Sequence, residues 1–320
     1  MLSFVSKNLT KLIFSVMLLG LLNSYFFGGM PFNIAICASA SFLMIYPMFI
    51  NLKITDIVEI KNYKAAVLLS LLINFILSPA IAYILGKLLL SDQPYMALGL
   101  ILISLIPTSG MTATWTELSN GNLKVALSII ATSLVVVIVT LPMVLPLMAG
   151  NLLSAGPIFI LQRILLVIVI PLILGDITRR IIIAKKGQAF YKSKKPLFSG
   201  LSSTGLLFVL FLIMSLDANK LLISNPVLVL KGIVPLLIYY VLMFGSSTLI
   251  ANVFGYPVRT AIVFGTSVRY LALALGIAVP LLGSGTNSSM VVFLIALAFF
   301  VQVPFSSIYS KFVTRNSQSA

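Results

Sequence analysis

Phe264-Gly-Thr-Ser-Val-Arg-Tyr270 lies inside an otherwise apolar run, residues 260–282, and it contains Arg269, the one charge that falls well inside such a run. A charged side chain at the centre of a bilayer costs about 3 kcal/mol on insertion scales, so it persists there only facing protein, water or a bound partner. Arg269 is therefore read first as a functional residue. Two other readings stand beside that one: an arginine that snorkels to an interface, or one that stabilises the fold by bonding backbone carbonyls.

The composition of the rest of the chain suits a segment of this kind. Apolar types make up 60% of the 320 residues and charged types 8%, against about 25% charged residues in a soluble domain. Mean hydropathy is +1.16. This is an all-α polytopic membrane protein. Ten stretches approach the roughly 20 residues a helix needs to cross about 30 Å of hydrocarbon: 12–27, 31–51, 65–89, 94–114, 123–148, 157–174, 197–216, 226–254, 260–282 and 288–309. Period-two alternation is absent, which disfavours a β-barrel.

Lysine and arginine in short loops accumulate on the cytoplasmic side. Starting from a cytoplasmic N-terminus, the inside segments carry Lys7, Lys11, Lys53, Lys61, Lys64, Lys124, Arg179, Arg180, Lys185, Lys186, Lys192, Lys194, Lys195, Arg259, Lys311 and Arg315. The outside loops hold Lys87 and Lys220, with Arg163 and Lys231 a turn or two inside the neighbouring helices. Both termini are expected in the cytoplasm of a cell whose plasma (inner) membrane holds the chain. The net charge of +15 is scattered over loops and concentrated in 178–196, so it reads as topology plus attraction to anionic membrane lipid, with no nucleic-acid partner. Cys37, the one cysteine, supports neither a disulfide framework nor a cysteine metal site and reads as a small buried apolar residue. The first apolar run reads as a retained helix, because Ala38-Ser-Ala40 lies too far beyond it to serve as a signal cleavage site.

Halving the spans places a boundary in the loop 150–156, giving 1–150 and 151–320 as two five-helix repeats. An odd number of spans per half makes the halves opposite in orientation, the arrangement of an inverted repeat in secondary transporters. The basic connection 178–196 then falls between helices six and seven. Leu71-Leu-Ile-Asn-Phe-Ile-Leu77 echoes Leu236-Leu-Ile-Tyr-Tyr-Val-Leu242, and Pro94 and Pro257 each introduce the next span. More specific is the pair formed by Pro107-Thr-Ser-Gly-Met-Thr112 in span four and Gly265-Thr-Ser-Val268 in span nine. Proline, glycine and adjacent hydroxyls weaken the helical ladder, and freed backbone groups are tolerated at this depth only inside protein or along a wet cavity. Pro107, Gly110 and Gly265 are the expected helix breaks. Thr108, Ser109, Thr266 and Ser267 join Arg269 as substrate contacts, and Thr112, Thr114 and Ser267 are candidate cation ligands.

Met44-Ile-Tyr-Pro-Met48, the segment Pro107-Thr-Ser-Gly-Met-Thr-Ala-Thr-Trp115 followed by Gly121-Asn122, and Arg259-Thr260 together resemble the bile acid:sodium symporter superfamily, which includes the arsenite permeases. The resemblance covers nearly the whole chain in span count and order. It implies a panel domain and a core domain, broken helices four and nine crossing near the midplane, and alternating access. In the arsenite permeases the position matching Thr108 is a cysteine that handles the metalloid, ahead of a Met and a Trp matching Met111 and Trp115. In the sodium-coupled members span nine carries a Glu at the crossing, followed by Gln and Asn, which help ligate sodium. This chain has no carboxylate between Phe264 and Arg269, so a sodium ion would have only neutral oxygen ligands.

None of Asp56, Glu59, Asp92, Glu117, Asp176 and Asp217 falls within an apolar core, and there is no histidine, so no transmembrane proton relay is visible. No nucleotide-binding loop, metal-ligand cluster or nucleophile triad is present, so neither an enzyme nor a resident cofactor is expected. Arg269 is left with two roles that are compatible: binding the oxyanion of a substrate, or occupying the place where relatives bind sodium. Asn74, Thr132, Ser133, Tyr239, Tyr240 and Gln302 either line the path or make interhelical hydrogen bonds. Trp115 is either an interfacial anchor or part of a gate. The reading that follows is a secondary transporter for a small anionic solute, with arsenite or antimonite efflux, sodium-coupled organic anion uptake, and a non-transporting membrane sensor or assembly subunit as alternatives.

Overall fold

The computed structural model describes residues 9–28, 34–51, 63–153, 156–215, 226–282 and 286–318. Along the chain the helices are α1 (Leu9–Phe26), α2 (Ile34–Asn51), α3 (Lys64–Leu72), α4 (Ser78–Leu89), α5 (Pro94–Leu105), α6 (Met111–Leu118), α7 (Leu123–Ala149), α8 (Pro157–Ile164), α9 (Ile170–Met214), α10 (Pro226–Ile250), α11 (Tyr256–Ser267), α12 (Leu271–Leu282) and α13 (Thr286–Gln318). Lys64–Leu89, Leu123–Leu152, Ile170–Leu212, Val227–Val253 and Met290–Thr314 are each long and apolar enough to cross a membrane, and Phe42–Asn51 and Pro94–Leu105 are shorter apolar helices. The chain is an all-helical, polytopic membrane protein. Leu18, Leu19, Leu22 and Phe26 are exposed along α1, a surface suited to lipid tails and costly in water.

In two helical stretches a widened turn precedes a proline. Pro79 and Pro171 lack the N–H of the helical ladder and crowd the carbonyl four residues back. Immediately ahead of each the helix widens for one turn, at Ile73–Leu77 and Leu165–Val169, where Ser78 N–H reaches Ile73 O and Ile170 N–H reaches Leu165 O. Such π-bulges let a helix absorb the missing bond and recur at functional positions. Asn74 sits in the first of them.

One compact unit comprises Met1–Ile54, Ile158–Val229 and Ala272–Phe293. Its α9 has 45 residues, about 68 Å if straight and more than twice the hydrocarbon thickness. Gly187, at φ 81° and ψ 165°, divides it in a conformation that glycine adopts freely. Both arms then lie against α2. Gly175 backs onto Phe49 and Ile50, and Gly205 onto Met44. Tyr46 Oη pairs with Thr178 Oγ1 at 2.8 Å, Asn51 Nδ2 donates to Lys195 O at 3.2 Å, and Tyr191 Oη donates to Ile50 O at 3.0 Å. The basic segment 178–196 is thus helical on either side of a turn, rather than an open loop. Asp176 pairs with Arg179 and Arg180 at its start.

The other unit comprises Thr55–Pro157, Leu230–Leu271 and Leu294–Ala320. α4 and α5 form an antiparallel pair that approaches closely at Gly86, where an added Cβ would lie 3.2 Å from Ala97 Cβ. In the turn between them Asp92 pairs with Lys231 of α10, and the lysine holds its carboxyl below the usual range. Phe244, Phe264 and Tyr309 pack edge-on and tilted, with centroids 4.9–6.2 Å apart. Both units draw on residues either side of 150, so the packing units and the boundary read from span counting divide the chain differently.

A Cβ at residue 205 would lie 2.7 Å from Met44 Cα and N, so Gly205→Ala should lower stability by about 1–3 kcal/mol through overpacking. Gly245, with nothing within 4 Å of an added Cβ, should tolerate alanine or gain up to about 1 kcal/mol. Thermal unfolding midpoints of the two variants in detergent test the contrast.

Candidate functional site

The site is built where two helix interruptions of one unit, at residues 106–110 and 268–270, meet. In the first, α5 stops at Leu105 because Pro107 drives the residue before it out of the helical region; Ile106 is extended, at φ −69° and ψ 142°. The chain resumes as α6 at Met111. In the second, α11 ends at Ser267, Val268 is extended at φ −93° and ψ 103°, and α12 begins at Leu271. No proline enforces this second interruption.

What holds it is exchange of backbone bonds. Ser109 N–H donates to Val268 O at 3.1 Å and Tyr270 N–H to Pro107 O at 3.0 Å, which makes Thr108 and Arg269 an antiparallel bridge pair. In such a pair the two facing residues do not bond each other directly, and their side chains come close. Residue 269 turns its own amide groups the other way: Arg269 N–H donates to Gln302 Oε1 at 2.7 Å, and Gln302 Nε2 donates to Arg269 O at 3.0 Å. Tyr240 Oη donates to the same Oε1 at 2.9 Å. The last carbonyls of α11 also find partners, Gly265 O from Asn74 Nδ2 at 3.0 Å and Phe264 O from Thr112 Oγ1 at 3.2 Å. Irregular backbone inside an apolar protein needs this accounting, since each orphan peptide group costs several kcal/mol without water.

Arg269 is 1% exposed. Its Nη1 donates to Ile106 O at 3.3 Å, beside the C-terminal end of α5. Nε and Nη2 are buried without a hydrogen-bond partner. These two nitrogens form one edge of the planar guanidinium, whose parallel donors match two oxygens of one oxyanion. Among the described residues no carboxylate pairs with it. Thr108 Oγ1 and Thr112 Oγ1 are 2.7 Å apart, while Thr108 also reaches Val268 O at 3.0 Å. With Thr112 to Phe264 O, that makes three contacts sharing two hydroxyl protons, and the two carbonyls accept backbone N–H groups as well, Val268 O from Ser109 and Phe264 O from Val268.

The other residues singled out in the sequence are placed as follows. Ser109 Oγ accepts Met111 N–H at 3.1 Å and caps α6, and Gly110 precedes that helix. Ser267 Oγ is buried and unpaired. Gly265 corrects the expectation for span nine: it stays inside α11, and the interruption lies three residues later, where tertiary bonds replace the helical ones. Thr266 turns to Ser247 Oγ at 2.7 Å and away from Thr108, and the Thr114 side chain is exposed on α6. Trp115 stacks on Phe264 with centroids 6.4 Å apart. Asn74, Tyr240 and Gln302 make interhelical bonds, and these bonds are the supports of the interruption itself. Asp56, Glu59 and Asp217 lie outside the described residues. Among the described residues no group of His, Cys, Asp and Glu could hold a metal ion.

The turn that follows α6 ties the same two stretches together a second time. Asn122 caps α7 through Lys124 N–H and Val125 N–H, and its own N–H donates to Pro257 O at 2.7 Å, just inside α11.

Apolar helices interrupted in their interior around a buried charge are the build of a secondary transporter. The Sodium Bile acid symporter family model matches residues 38–225, and the chain belongs to that family of membrane transporters. The match ends ahead of α11, so Arg269 lies beyond it. The chain is 26% identical over 284 residues to the arsenical-resistance protein Acr3 of Corynebacterium glutamicum, covering 85% of this chain and 76% of that protein. It is 23% identical over 265 residues to the arsenical-resistance protein Acr3 of Alkaliphilus metalliredigens, covering 78% and 73%.

Asn74→Leu would strand the buried Gly265 carbonyl, a loss of about 1–3 kcal/mol. The expected outcome is a lower unfolding midpoint in detergent; an unchanged midpoint would show that this bond does not support the end of α11.

Proposed function

We propose that this chain is an alternating-access secondary transporter that carries a small oxyanion, bound on the Nε/Nη2 edge of Arg269. Ten transmembrane helices in a 5+5 inverted repeat, with both termini cytoplasmic in the plasma membrane, are the frame of this reading. The observation that carries it is a fully buried guanidinium with one nitrogen given to a backbone carbonyl and two left unpaired. A buried cation without a counter-charge is costly, by several kcal/mol. A bound anion removes that cost, which makes the same group a selective contact. The N-terminal end of α6, with its positive dipole end, adds to the attraction. Sodium has no part in this mechanism: the oxygens at the crossing are neutral and already bonded to one another or to carbonyls, and a fixed cation sits among them. Exit of a singly charged anion from the cytoplasm is favoured by about 2.3 kcal/mol per 100 mV of membrane potential.

A second reading, metalloid efflux, is favoured by the names of the two relatives. The crossing segments contain no cysteine, so arsenite would be held through its oxygens by Arg269 and the Thr108–Thr112 pair, without a thiolate. A gain of arsenite resistance in a sensitive host that persists in Cys37→Ser would select this reading.

The test common to both is flux of labelled acetate, benzoate, phosphate, sulfate and arsenite in liposomes holding the purified protein. Arg269→Ala should weaken the transported anion's half-saturation by roughly 100-fold or abolish flux, the loss expected when one side of a buried charge contact is truncated. Arg269→Lys, a point charge without the fork, should keep some flux but lose preference for two-oxygen anions over chloride. Flux of every anion indifferent to Arg269→Ala would refute the proposal.

A further inference from the structure

We infer that Gln302, with Tyr240 behind it, is the positioning residue of the site: its carboxamide fixes the backbone of Arg269 and so the direction of the free guanidinium edge. The inference rests on the reading of Arg269 as the anion contact, and it assigns to α13 a role that no feature of residues 38–225 supplies.

Residues 268–270 behave as a strand of three residues. On one side Val268 O and Tyr270 N–H bond Ser109 and Pro107. On the other, the amide groups of Arg269 would meet an adjacent strand in a sheet; here they meet one side chain. Gln302 supplies an acceptor at 2.7 Å and a donor at 3.0 Å, the reciprocal pair a neighbouring strand residue would make. The orientation of the carboxamide is fixed by chemistry, because Arg269 N–H requires an oxygen and Arg269 O requires the nitrogen, and Tyr240 O–H then donates to that oxygen.

Arg269 N–H has no other acceptor at hand, while Arg269 O is also reached by Leu271 N–H at 3.0 Å. The helical acceptor for Arg269 N–H would be Gly265 O, and Asn74 already donates to it. Gln302 is 2% exposed and Tyr240 fully buried, so water does not stand in. With both amide groups of residue 269 held, the direction of its Cβ is set, and Nη1 anchored on Ile106 O sets the far end. The Nε/Nη2 edge is thereby presented in one orientation. Gln302 acts through the arginine and does not itself meet the solute.

The test uses the full chain in liposomes and the same labelled oxyanions, with chloride as competitor. Gln302→Met keeps volume and removes both bonds; we expect half-saturation to rise about tenfold and the preference over chloride to fall, with maximal rate per folded molecule changed less, as positioning predicts. In Arg269→Ala/Gln302→Met the second change should add nothing, since both act on one contact. Gln302→Glu gives a pH signature: its protonated acid offers one donor and one acceptor, as the amide does, and its carboxylate offers no donor and an internal anion for the guanidinium. Its half-saturation should approach that of the unaltered protein at low pH and rise at high pH, while the ratio in the unaltered protein stays flat. Tyr240→Phe should give a smaller shift of the same kind. If Gln302→Met does not fold, the Gln302→Glu series decides. Unchanged half-saturation and chloride preference in the folded variants, or a loss in the double variant well beyond Arg269→Ala, would overturn the inference. Flux indifferent to Arg269→Ala would instead overturn the anion reading on which it stands.

Discussion

Everything at the crossing depends on the exchange of peptide hydrogen bonds between 107–109 and 268–270. Two interrupted helices in an apolar interior expose N–H and C=O groups that cannot turn to water, and a few such orphans would cost more than a typical domain's net stability. Pairing the two interruptions with each other removes most of that cost with bonds of ordinary length, at 3.0 and 3.1 Å. What remains, the amide groups of Arg269 and the last carbonyls of α11, is met by Gln302, Asn74 and Thr112. The backbone of the irregular segment is thus bonded largely within the protein, while Arg269 Nε and Nη2 and Ser267 Oγ stay buried without a partner.

That division explains why the arginine is where it is. The backbone bridge uses residues 268 and 270 on one side and 269 on the other, as a strand does, and the side chains of Thr108 and Arg269 come together at the bridge. Nη1 bonds Ile106 O next to the negative end of α5, where a cation complements the helix dipole. The guanidinium thus contributes to the fold and keeps an edge in reserve. Of the sequence readings of Arg269, carbonyl bonding is met by Nη1, snorkelling is not seen, and the proposed ligand binding would fall to the other two nitrogens.

Helices and the first interruption were legible because their causes are local. Apolar length gives the spans, and Pro107 acts on Ile106 through direct steric contact. The second interruption was legible only in kind. Gly265 drew attention as the flexible residue, yet glycine permits a break without causing one, and α11 runs on to Ser267 until partners from other helices take over. Where Thr266 and Thr114 turn was not legible for a related reason: the rotation of a short helix decides whether a hydroxyl meets the crossing, a neighbouring helix or the outside, and a span of apolar residues on all sides carries no periodic signal of rotation. Gln302, Asn74 and Tyr240 did carry a signal, as polar groups inside apolar spans, but their partners are 33, 191 and 62 residues away along the chain. In the other unit, the turn at Gly187 was hidden inside a basic segment that reads as a loop, because charge pattern reports the side of the membrane and says little about backbone shape.

No acid among the described residues pairs with Arg269, which favours the proposed binding role over a structural ion pair. Had a glutamate faced the free edge, the pair would satisfy itself, and an incoming anion would have to displace a covalently tethered competitor at very high effective concentration. A hydrophobic residue would be cheaper still, since well-packed apolar replacements of buried ion pairs are often neutral or stabilising. Position 269 holds an arginine, and among the described residues no acid faces its free edge. The chain keeps two donors of a buried guanidinium unpaired on one segment of the bridge, while on the other both threonine protons are engaged. On the proposed reading, the parallel donors of that edge suit two adjacent oxygens of one solute, and a bare halide offers them a single acceptor.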